Sequence, residues 1–254
     1  MHDSFRCVPG PALPDSAPGM DPLQPKPQLP PEPYLPPHVP ELVEQIEFVL
    51  LPALRLRSVD PHDPVRVESL PAPWRLLGCG NYAAVLHHPL HPGVVVKVYA
   101  PGRPGLAAEV EVYRRLGLHP AFSCCFHAGA NYLVLRRLYG TTFYDCLRLG
   151  MVIPPQAIAD IDAALAYAAS RDLHARDVHG RNLMLHHGRG LVLDVSDFLN
   201  PVPCRIWRDL RWAYHALYRP LIVPLGLRAP AVLLDGLRRA YRFYRILTRS
   251  ARET

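Results

Sequence analysis

The chain has 254 residues, of which 49% are hydrophobic and 20% are charged, so it can bury a core as one domain or as two modest lobes. No uninterrupted apolar run approaches the roughly 18 residues of a membrane span, and the first residues, MHDSFRCVPG, lack the layout of a signal peptide. The six cysteines form no CxxC pair and no metal-ligand spacing, which argues against a disulfide framework or a zinc site. We therefore predict a globular, cytoplasmic protein with reduced thiols.

The net charge of +6 is concentrated towards the C-terminus, where residues 205–254 hold eleven arginines and three acidic residues. The segment RRAYRFYRILTRSAR, residues 238–252, interleaves arginines with aromatic and aliphatic side chains. This pattern predicts a helix that packs its apolar side and leaves its arginines in solvent. A peripheral contact of these basic helices with a membrane is the alternative, and no nucleic-acid partner is expected.

The first forty residues contain thirteen of the thirty prolines and few residues that could build a core. They predict a disordered or polyproline-II tail, whose partner, such as an SH3-type domain, the sequence leaves open. The next segment, ELVEQIEFVLL at 41–51, has helical periodicity, and we predict that this helix stops at Pro52.

From Trp74 onward, short apolar runs alternate with glycine turns, in RLLGCGNYAAVLHH and GVVVKVYA, which predicts antiparallel strands. After Gly105 the apolar residues recur at helical spacing, which predicts a helix. The run NYLVLRRL at 131–138 predicts a further strand. Strands with one helix therefore make up the predicted N-terminal lobe, residues 41–138.

The remainder, residues 139–254, is predicted to be mainly helical. A helix opens at Pro154 and Pro155, and two short apolar runs, LML at 183–185 and GLVLDV at 190–195, follow it. Everything after Arg205 has helical character, with predicted breaks at three prolines, Pro220, Pro224 and Pro230. The order of elements predicts the α+β class, with an antiparallel sheet plus one helix first and a helical lobe second.

Lys97 is one of only two lysines in the chain, against twenty-six arginines, and it lies inside the apolar strand VVVKVY. An unpaired ammonium in an apolar site costs several kcal/mol, so Lys97 needs a carboxylate. Glu109 lies on the apolar face of the following helix, whereas Glu111 has Arg114 and Arg115 at i+3 and i+4. We predict that Glu109 pairs with Lys97. The alternative is that Lys97 extends to solvent from an edge strand.

Two further motifs flank this pair. Upstream, LLGCGNYAAV places Gly78 and Gly80 at the first two positions of a GxGxxG turn and Ala83 at the third. Downstream, LHARDVHGRNLML is followed by LVLDVSDF, with Asn182 five positions after Asp177. In this order, from about Trp74 to Phe198, the residues resemble the protein kinase superfamily.

The resemblance implies a two-lobed, kinase-like fold that uses ATP and Mg²⁺. It implies that Asp177 orients the acceptor hydroxyl and accepts its proton, and that Asn182 and Asp194 bind the metal. It also implies that Lys97, held by Glu109, contacts the α and β phosphates, a role for which a compact ammonium is better suited than a planar guanidinium. The other implied nucleotide-binding residues are Gly78, Gly80, Ala83 and Val85 in the glycine turn, Leu135 as gatekeeper, and Arg136 and Leu138 in the hinge.

The sequence departs from the family pattern at several positions. Ala175 replaces the histidine before Arg176, and Ser196 replaces the glycine of the DFG element. His179 replaces the lysine two positions after Asp177, a form that resembles aminoglycoside and other small-molecule kinases or atypical protein kinases. No APE-like element follows.

We predict an ATP-dependent phosphotransferase acting on serine and threonine hydroxyls of protein. One alternative is a kinase for a sugar, the lipopolysaccharide core or another small molecule, so the acceptor would be a saccharide hydroxyl. The other is a pseudokinase scaffold, against which the presence of all five polar site residues argues.

Overall fold

The computed structural model describes residues 39–60, 63–236 and 239–240. They divide between two compact units, which are treated separately below. The first unit takes its residues from Met1–Leu138, Ala163–Arg176 and Val195–Pro203, and the second from Tyr139–Asp162, Asp177–Asp194 and Cys204–Thr254. The predicted proline-rich tail lies outside the described residues except for Val39 and Pro40, and so does the predicted helix at 238–252 except for Arg239 and Ala240.

The first unit begins with a helical segment made of α1 (Val39–Gln45), a π-helical turn (Ile46–Leu50) and α2 (Leu51–Ala53). Leu42, Ile46 and Leu50 are buried in the core of this unit. The helix predicted at 41–51 is confirmed, and the segment ends at Ala53, one residue after the predicted stop at Pro52.

A five-stranded antiparallel sheet forms the centre of the first unit, with the order β3-β4-β5-β7-β6, and a hairpin precedes it. The hairpin strands are β1 (Arg55–Arg57) and β2 (Arg66–Ser69). The sheet strands are β3 (Arg75–Cys79), β4 (Ala83–His87), β5 (Val94–Tyr99), β6 (Cys125–Ala128) and β7 (Tyr132–Arg136), and α3 (Leu106–Leu116) connects β5 to β6.

Side chains of β5 alternate between the two faces of this sheet. Val94, Val96 and Val98 join the core that contains the N-terminal helical segment. Lys97 therefore points to the opposite face. The strand has its unusual sequence, valines interrupted by one lysine, because one face is core and the other carries a charged group.

The second unit contains a three-stranded sheet with the order β10-β9-β8 and several helices. Its strands are β8 (Thr141–Thr142), β9 (Leu183–His186) and β10 (Arg189–Val192). Its helices are α4 (Phe143–Leu149), α6 (Ile206–Ala213) and a π-helical segment (Tyr214–Ile222). A further helix, α5 (Pro155–Ala169), starts in the second unit and ends in the first.

The predicted helix break at Pro220 is wrong, because Pro220 lies inside the π-helical segment. A π-helical turn bonds residues five apart and is wider than an α-turn, so it relieves the clash between a proline ring and the carbonyl four residues earlier. The mixture of helices and antiparallel sheets confirms the predicted α+β class.

Within the described part of the chain, no helix is long and apolar enough to cross a membrane. The five cysteines that the structure describes are free thiols, as predicted.

Candidate active site

The predicted ion pair between Lys97 and Glu109 is present in the first unit. The Lys97 Nζ lies 2.9 Å from Glu109 Oε1 and 2.8 Å from Oε2. The Glu109 side chain is 1% exposed and that of Lys97 is 13% exposed. Because the carboxylate has almost no access to water, this contact replaces its hydration and fixes the position of the ammonium.

Tyr99 is a further partner of Glu109 that sequence reasoning missed. Its hydroxyl donates a hydrogen bond to Glu109 Oε2, and its ring is buried. Tyr99 follows Lys97 by two residues on β5, so both side chains lie on the same face of the sheet. This two-residue spacing is the signal that could have revealed it.

The other glutamate of α3, Glu111, lies on the surface as predicted. It accepts hydrogen bonds from Arg114 at 2.6 Å and from Arg115 at 2.8 Å. These bonds, first from Arg114 and then from Arg115, lower the pKa of Glu111 to about 2. The helix therefore carries one glutamate that is fully used by its own neighbours and one, Glu109, that reaches the sheet.

The glycine turn joins β3 to β4, and β4 is the strand that pairs with the strand carrying Lys97. The Gly80 N–H donates to the Ala83 carbonyl at 2.8 Å, and the register sets Val85 opposite Lys97 on the neighbouring strand. A Cβ added at Gly78 would meet no atom within 4 Å, and the residue does not have a left-handed φ. The fold itself therefore does not require glycine at this position.

We expect Gly78→Ala to leave the midpoint of thermal unfolding unchanged while raising the KM for ATP about tenfold, because the methyl group would obstruct close approach of phosphate oxygens to the backbone. Gly236→Ala is the matched control, since a Cβ there also meets no atom within 4 Å. An unchanged KM in Gly78→Ala would remove the glycine turn from the nucleotide-binding residues.

The predicted hinge residues continue from β7. Leu135 is buried, and Leu138 is half-buried. The Arg136 guanidinium donates to the carbonyls of His119, at 2.9 Å, and Phe122. Its side chain therefore anchors the loop before β6. The Arg136 N–H donates to the Cys124 carbonyl at 2.9 Å and its carbonyl accepts from the Ser123 hydroxyl at 2.7 Å, and contact of Arg136 with a nucleotide stays a prediction.

In the second unit, the β9–β10 hairpin positions the two predicted metal ligands. Leu183 pairs with Val192, so Asn182 and Asp194 flank the open end of the hairpin. The Leu193 N–H donates to the Asn182 carbonyl at 2.8 Å, which extends the pairing by one residue. The two short apolar runs seen in the sequence thus form the two strands of a hairpin, and they place the Asn182 amide and the Asp194 carboxylate at its open end.

The loop before this hairpin holds Asp177 in a left-handed conformation, with φ of 53°. The Asn182 side-chain amide donates to the Asp177 carbonyl at 3.0 Å, and the Asn182 backbone N–H donates to the His179 carbonyl at 2.8 Å. His179 Nε2 lies 3.5 Å from Asp177 Oδ2. A non-glycine residue held with positive φ by its neighbours is typical of functional loops.

The donor atoms at the open end of the hairpin fit Mg²⁺. Asn182 uses its amide nitrogen in the bond to Asp177, which leaves its side-chain oxygen to act as a ligand, and the Asp194 carboxylate is the other donor from this end of the hairpin. No group of three or more His, Cys, Asp and Glu side chains that could hold a metal occurs among the residues that the structure describes. Two hard oxygen donors suit a cation that keeps several waters and also binds phosphate oxygens.

A second anchor of the Asp177 loop was not predicted. Arg181 Nη2 lies 2.7 Å from Asp235 Oδ1, and the Tyr144 hydroxyl donates to the same oxygen at 3.1 Å. The Arg181 guanidinium also lies 4.1 Å from the centre of the Tyr144 ring. These contacts tie the loop to α4 and to residues after Pro230.

The predicted site residues therefore fall into two groups, each of which the structure brings together. The first unit joins Lys97 to Glu109, with Val85 beside them. The second unit joins Asp177, Asn182 and Asp194 through one loop and one hairpin. The first group fixes the Lys97 ammonium at one point on the sheet. The second group can offer a carboxylate base and oxygen ligands for a metal.

No family model matches the chain. A protein of Bacillus subtilis (strain 168) named "Putative serine/threonine-protein kinase YrzF" is 33% identical over 133 residues, which are 52% of this chain and 62% of that protein. The chain thus spans less than two thirds of the length of this relative. The kinase domain of PknI from Mycobacterium tuberculosis has 25% sequence identity and a TM-score of 0.35, over 51% of this chain and 59% of that chain. The sequence match to the Bacillus protein confirms the resemblance to the protein kinase superfamily that the motifs predict.

Proposed function

We propose that the chain transfers the γ-phosphate of ATP to serine or threonine hydroxyls of protein, in the cytoplasm. The observation that carries this proposal is the ion pair between Lys97 and the fully buried Glu109. A strand lysine held at 2.8 Å by a carboxylate from α3 is what a fixed phosphate-binding ammonium requires. The name of the Bacillus relative supports the same chemistry.

In this proposal the nucleotide-binding lobe is residues 41–138, and residues 139–254 supply the catalytic loop and the metal ligands. The Lys97 ammonium binds α and β phosphate oxygens, and Glu109 keeps it in place. The remaining nucleotide contacts come from the glycine turn and from the segment after β7: Gly78, Gly80, Ala83, Val85, Leu135, Arg136 and Leu138.

Asp177 acts as the catalytic base in the proposed reaction. The acceptor hydroxyl oxygen forms a bond to the γ-phosphorus while the bond from that phosphorus to the ADP oxygen breaks, and the hydroxyl proton passes to the Asp177 carboxylate. Asn182 and Asp194 would hold Mg²⁺, which neutralises negative charge on the phosphate oxygens when it is bound. The bond from Asn182 to the Asp177 carbonyl holds the base and one of the two metal ligands together in one loop.

Incubation with γ-labelled ATP, Mg²⁺ and a protein extract tests this proposal. The wild-type chain is expected to label protein on serine or threonine, and Asp177→Asn is expected to label it about a thousandfold more slowly, because the amide cannot accept the proton. Equal, background-level labelling by both would contradict the enzyme and favour a pseudokinase scaffold.

A second candidate, a kinase for a sugar or another small molecule, is favoured by His179. Its Nε2 lies 3.5 Å from Asp177 Oδ2, at the position where protein kinases commonly carry a lysine. Separation of the labelled products into protein, glycan and small-molecule fractions distinguishes the two candidates. Label found only outside protein, and lost in Asp177→Asn, would replace the protein acceptor by a saccharide or small-molecule hydroxyl.

A further inference from the structure

The second unit carries an apolar depression that the proposed phosphotransfer does not use. It is shallow, with a cavity volume of about 20 Å³, and lies between the loop after α4 and the end of the π-helical segment. Every residue that lines it is uncharged, including Met151, Val152, Ile222, Val223 and Leu227. A concave surface without a charged side chain is suited to an apolar group.

Two tyrosines fix the walls of this depression. The Tyr218 hydroxyl accepts a hydrogen bond from the Ile153 N–H at 3.0 Å and donates to the Met151 carbonyl at 3.3 Å. The Tyr214 hydroxyl donates to the Ile153 carbonyl at 2.9 Å. The loop and the helical segment are therefore bound to each other, and the depression is a defined part of the second unit.

Large apolar side chains around the depression are exposed to solvent. Val152 is 57% exposed on one wall, and Leu227 is 54% exposed on the other. Leu221 at 54%, Leu225 at 68% and Trp212 at 65% belong to the same stretch of chain. Single exposed leucines are ordinary, but several exposed large apolar side chains within residues 212–227 favour an interaction surface.

Arginines accompany these apolar side chains. Residues 212–228 contain two arginines, Arg219 and Arg228, and no acidic residue. Arg219 and Arg228 are exposed and belong to the segment that carries Leu221, Leu225 and Leu227. The Arg228 side chain also runs past Gly150, since a Cβ there would lie 2.9 Å from Arg228 Cγ. The surface therefore combines apolar side chains with an excess of positive charge.

From these observations we propose that the second unit docks on an anionic membrane surface through residues 151–152 and 212–228, called the docking surface below. Lipid headgroups with negative charge match Arg219 and Arg228, and the apolar interior of the membrane matches the exposed leucines and Trp212. An apolar protein partner would leave the arginines without complementary charge. The inference does not depend on the phosphotransfer proposal, because it uses none of the residues assigned to that reaction.

Trp212 provides a direct probe of docking. Trp74 is 5% exposed, and the Trp207 indole N–H donates to Asp162 at 2.7 Å, so Trp212 is the tryptophan that faces solvent. The full chain is mixed with vesicles of phosphatidylcholine and phosphatidylglycerol, or of phosphatidylcholine alone. We expect a blue shift of the emission, and sedimentation with the vesicles, only with the anionic mixture. In Trp212→Phe the shift should be lost.

The double variant Leu225→Glu with Leu227→Glu tests whether the docking surface itself binds. We expect the vesicle-bound fraction to fall about tenfold or more, because each exchange removes an inserted side chain and adds a repelled charge. Leu90→Glu is the control, since Leu90 is 76% exposed in the first unit and its exchange should leave binding unchanged.

Three results would overturn the proposal. The first is a wild-type chain that stays in solution with both kinds of vesicle or binds both equally. The second is a double variant that sediments like the wild type, which would place lipid binding elsewhere on the basic chain. The third is self-association without vesicles that the double variant abolishes, which would make the surface an interface between copies. None of these measurements requires ATP turnover, so their failure is separate from failure of the proposed reaction.

Discussion

Replacing Lys97 by arginine is expected to lower kcat/KM for Mg·ATP about a hundredfold or more while the chain stays folded. The guanidinium keeps the positive charge that the buried Glu109 carboxylate needs. Its planar, larger shape places that charge differently, so it cannot reproduce the point contact of an ammonium with phosphate oxygens. Steady-state kinetics and the midpoint of thermal unfolding, measured on the same preparation, check both halves of this expectation.

Two further variants make the result interpretable. Arg114→Lys is the matched control, because it exchanges the same two side chains in the exposed pair with Glu111 and should leave turnover and stability unchanged. Lys97→Met removes the ammonium that bonds both oxygens of buried Glu109, so we expect it to destabilise the fold by about 3 kcal/mol. Wild-type turnover in Lys97→Arg would show that the lysine has a structural role alone.

Asp160→Ala is expected to destabilise the chain by about 2 kcal/mol, which corresponds to a fall of about 5 °C in the midpoint of thermal unfolding. Asp160 on α5 accepts hydrogen bonds from Arg189 at 2.7 and 2.8 Å and from the Gly190 N–H at 3.0 Å. Its side chain is 10% exposed, whereas that of Arg189 is 39% exposed and can be rehydrated. The loss therefore stays below that of a fully buried pair.

The same contact predicts a pH dependence. Burial by itself would raise the pKa of Asp160, but the hydrogen bonds from Arg189, Gly190 and Gln156 outweigh it, so the pKa lies below its ordinary value. A lowered carboxyl pKa gives stability that is present at neutral pH and is lost as the pH falls through the folded-state pKa. The difference between wild type and Asp160→Ala should therefore shrink below about pH 4.

Glu68→Ala is the control for this prediction, since its pair with Arg57 is 3.5 Å long and both side chains are largely exposed. It should change the unfolding midpoint little at any pH. If Asp160→Ala behaves like Glu68→Ala, the contact between α5 and the β9–β10 hairpin does not stabilise the fold.

Most of what the sequence could predict came from patterns among residues that are close together in the chain. The strand around Lys97 was predicted from a short apolar run rich in valine, and the helix around Glu109 from apolar residues at helical spacing, which also places Glu109 on the apolar face. The separate fate of Glu111 follows from arginines three and four residues later. These inferences need only the neighbours of each residue within one helix or strand, and a single contact between elements, the pairing of Lys97 with Glu109.

Contacts between distant segments were not predictable in this way. Arg181 and Asp235 are separated by 54 positions, and no spacing rule relates a residue of the Asp177 loop to a residue beyond Pro230. The contact of Asp160 with Arg189, 29 positions apart, is of the same kind. Pro220 misled for another reason, because the rule that proline ends a helix applies to α-helical turns and the chain forms a wider π-helical segment there.

We propose that Asn182 and Asp194, at the open end of the β9–β10 hairpin, hold the Mg²⁺ that accompanies bound ATP. The most direct test is calorimetric titration of ATP into the wild-type chain and into Asp194→Asn, each with and without Mg²⁺. We expect Mg²⁺ to strengthen ATP binding to the wild type, and we expect Asp194→Asn to bind ATP no better with Mg²⁺ than without it. Equal affinity of the wild type for ATP in the two conditions, or an undiminished effect of Mg²⁺ in Asp194→Asn, would contradict it.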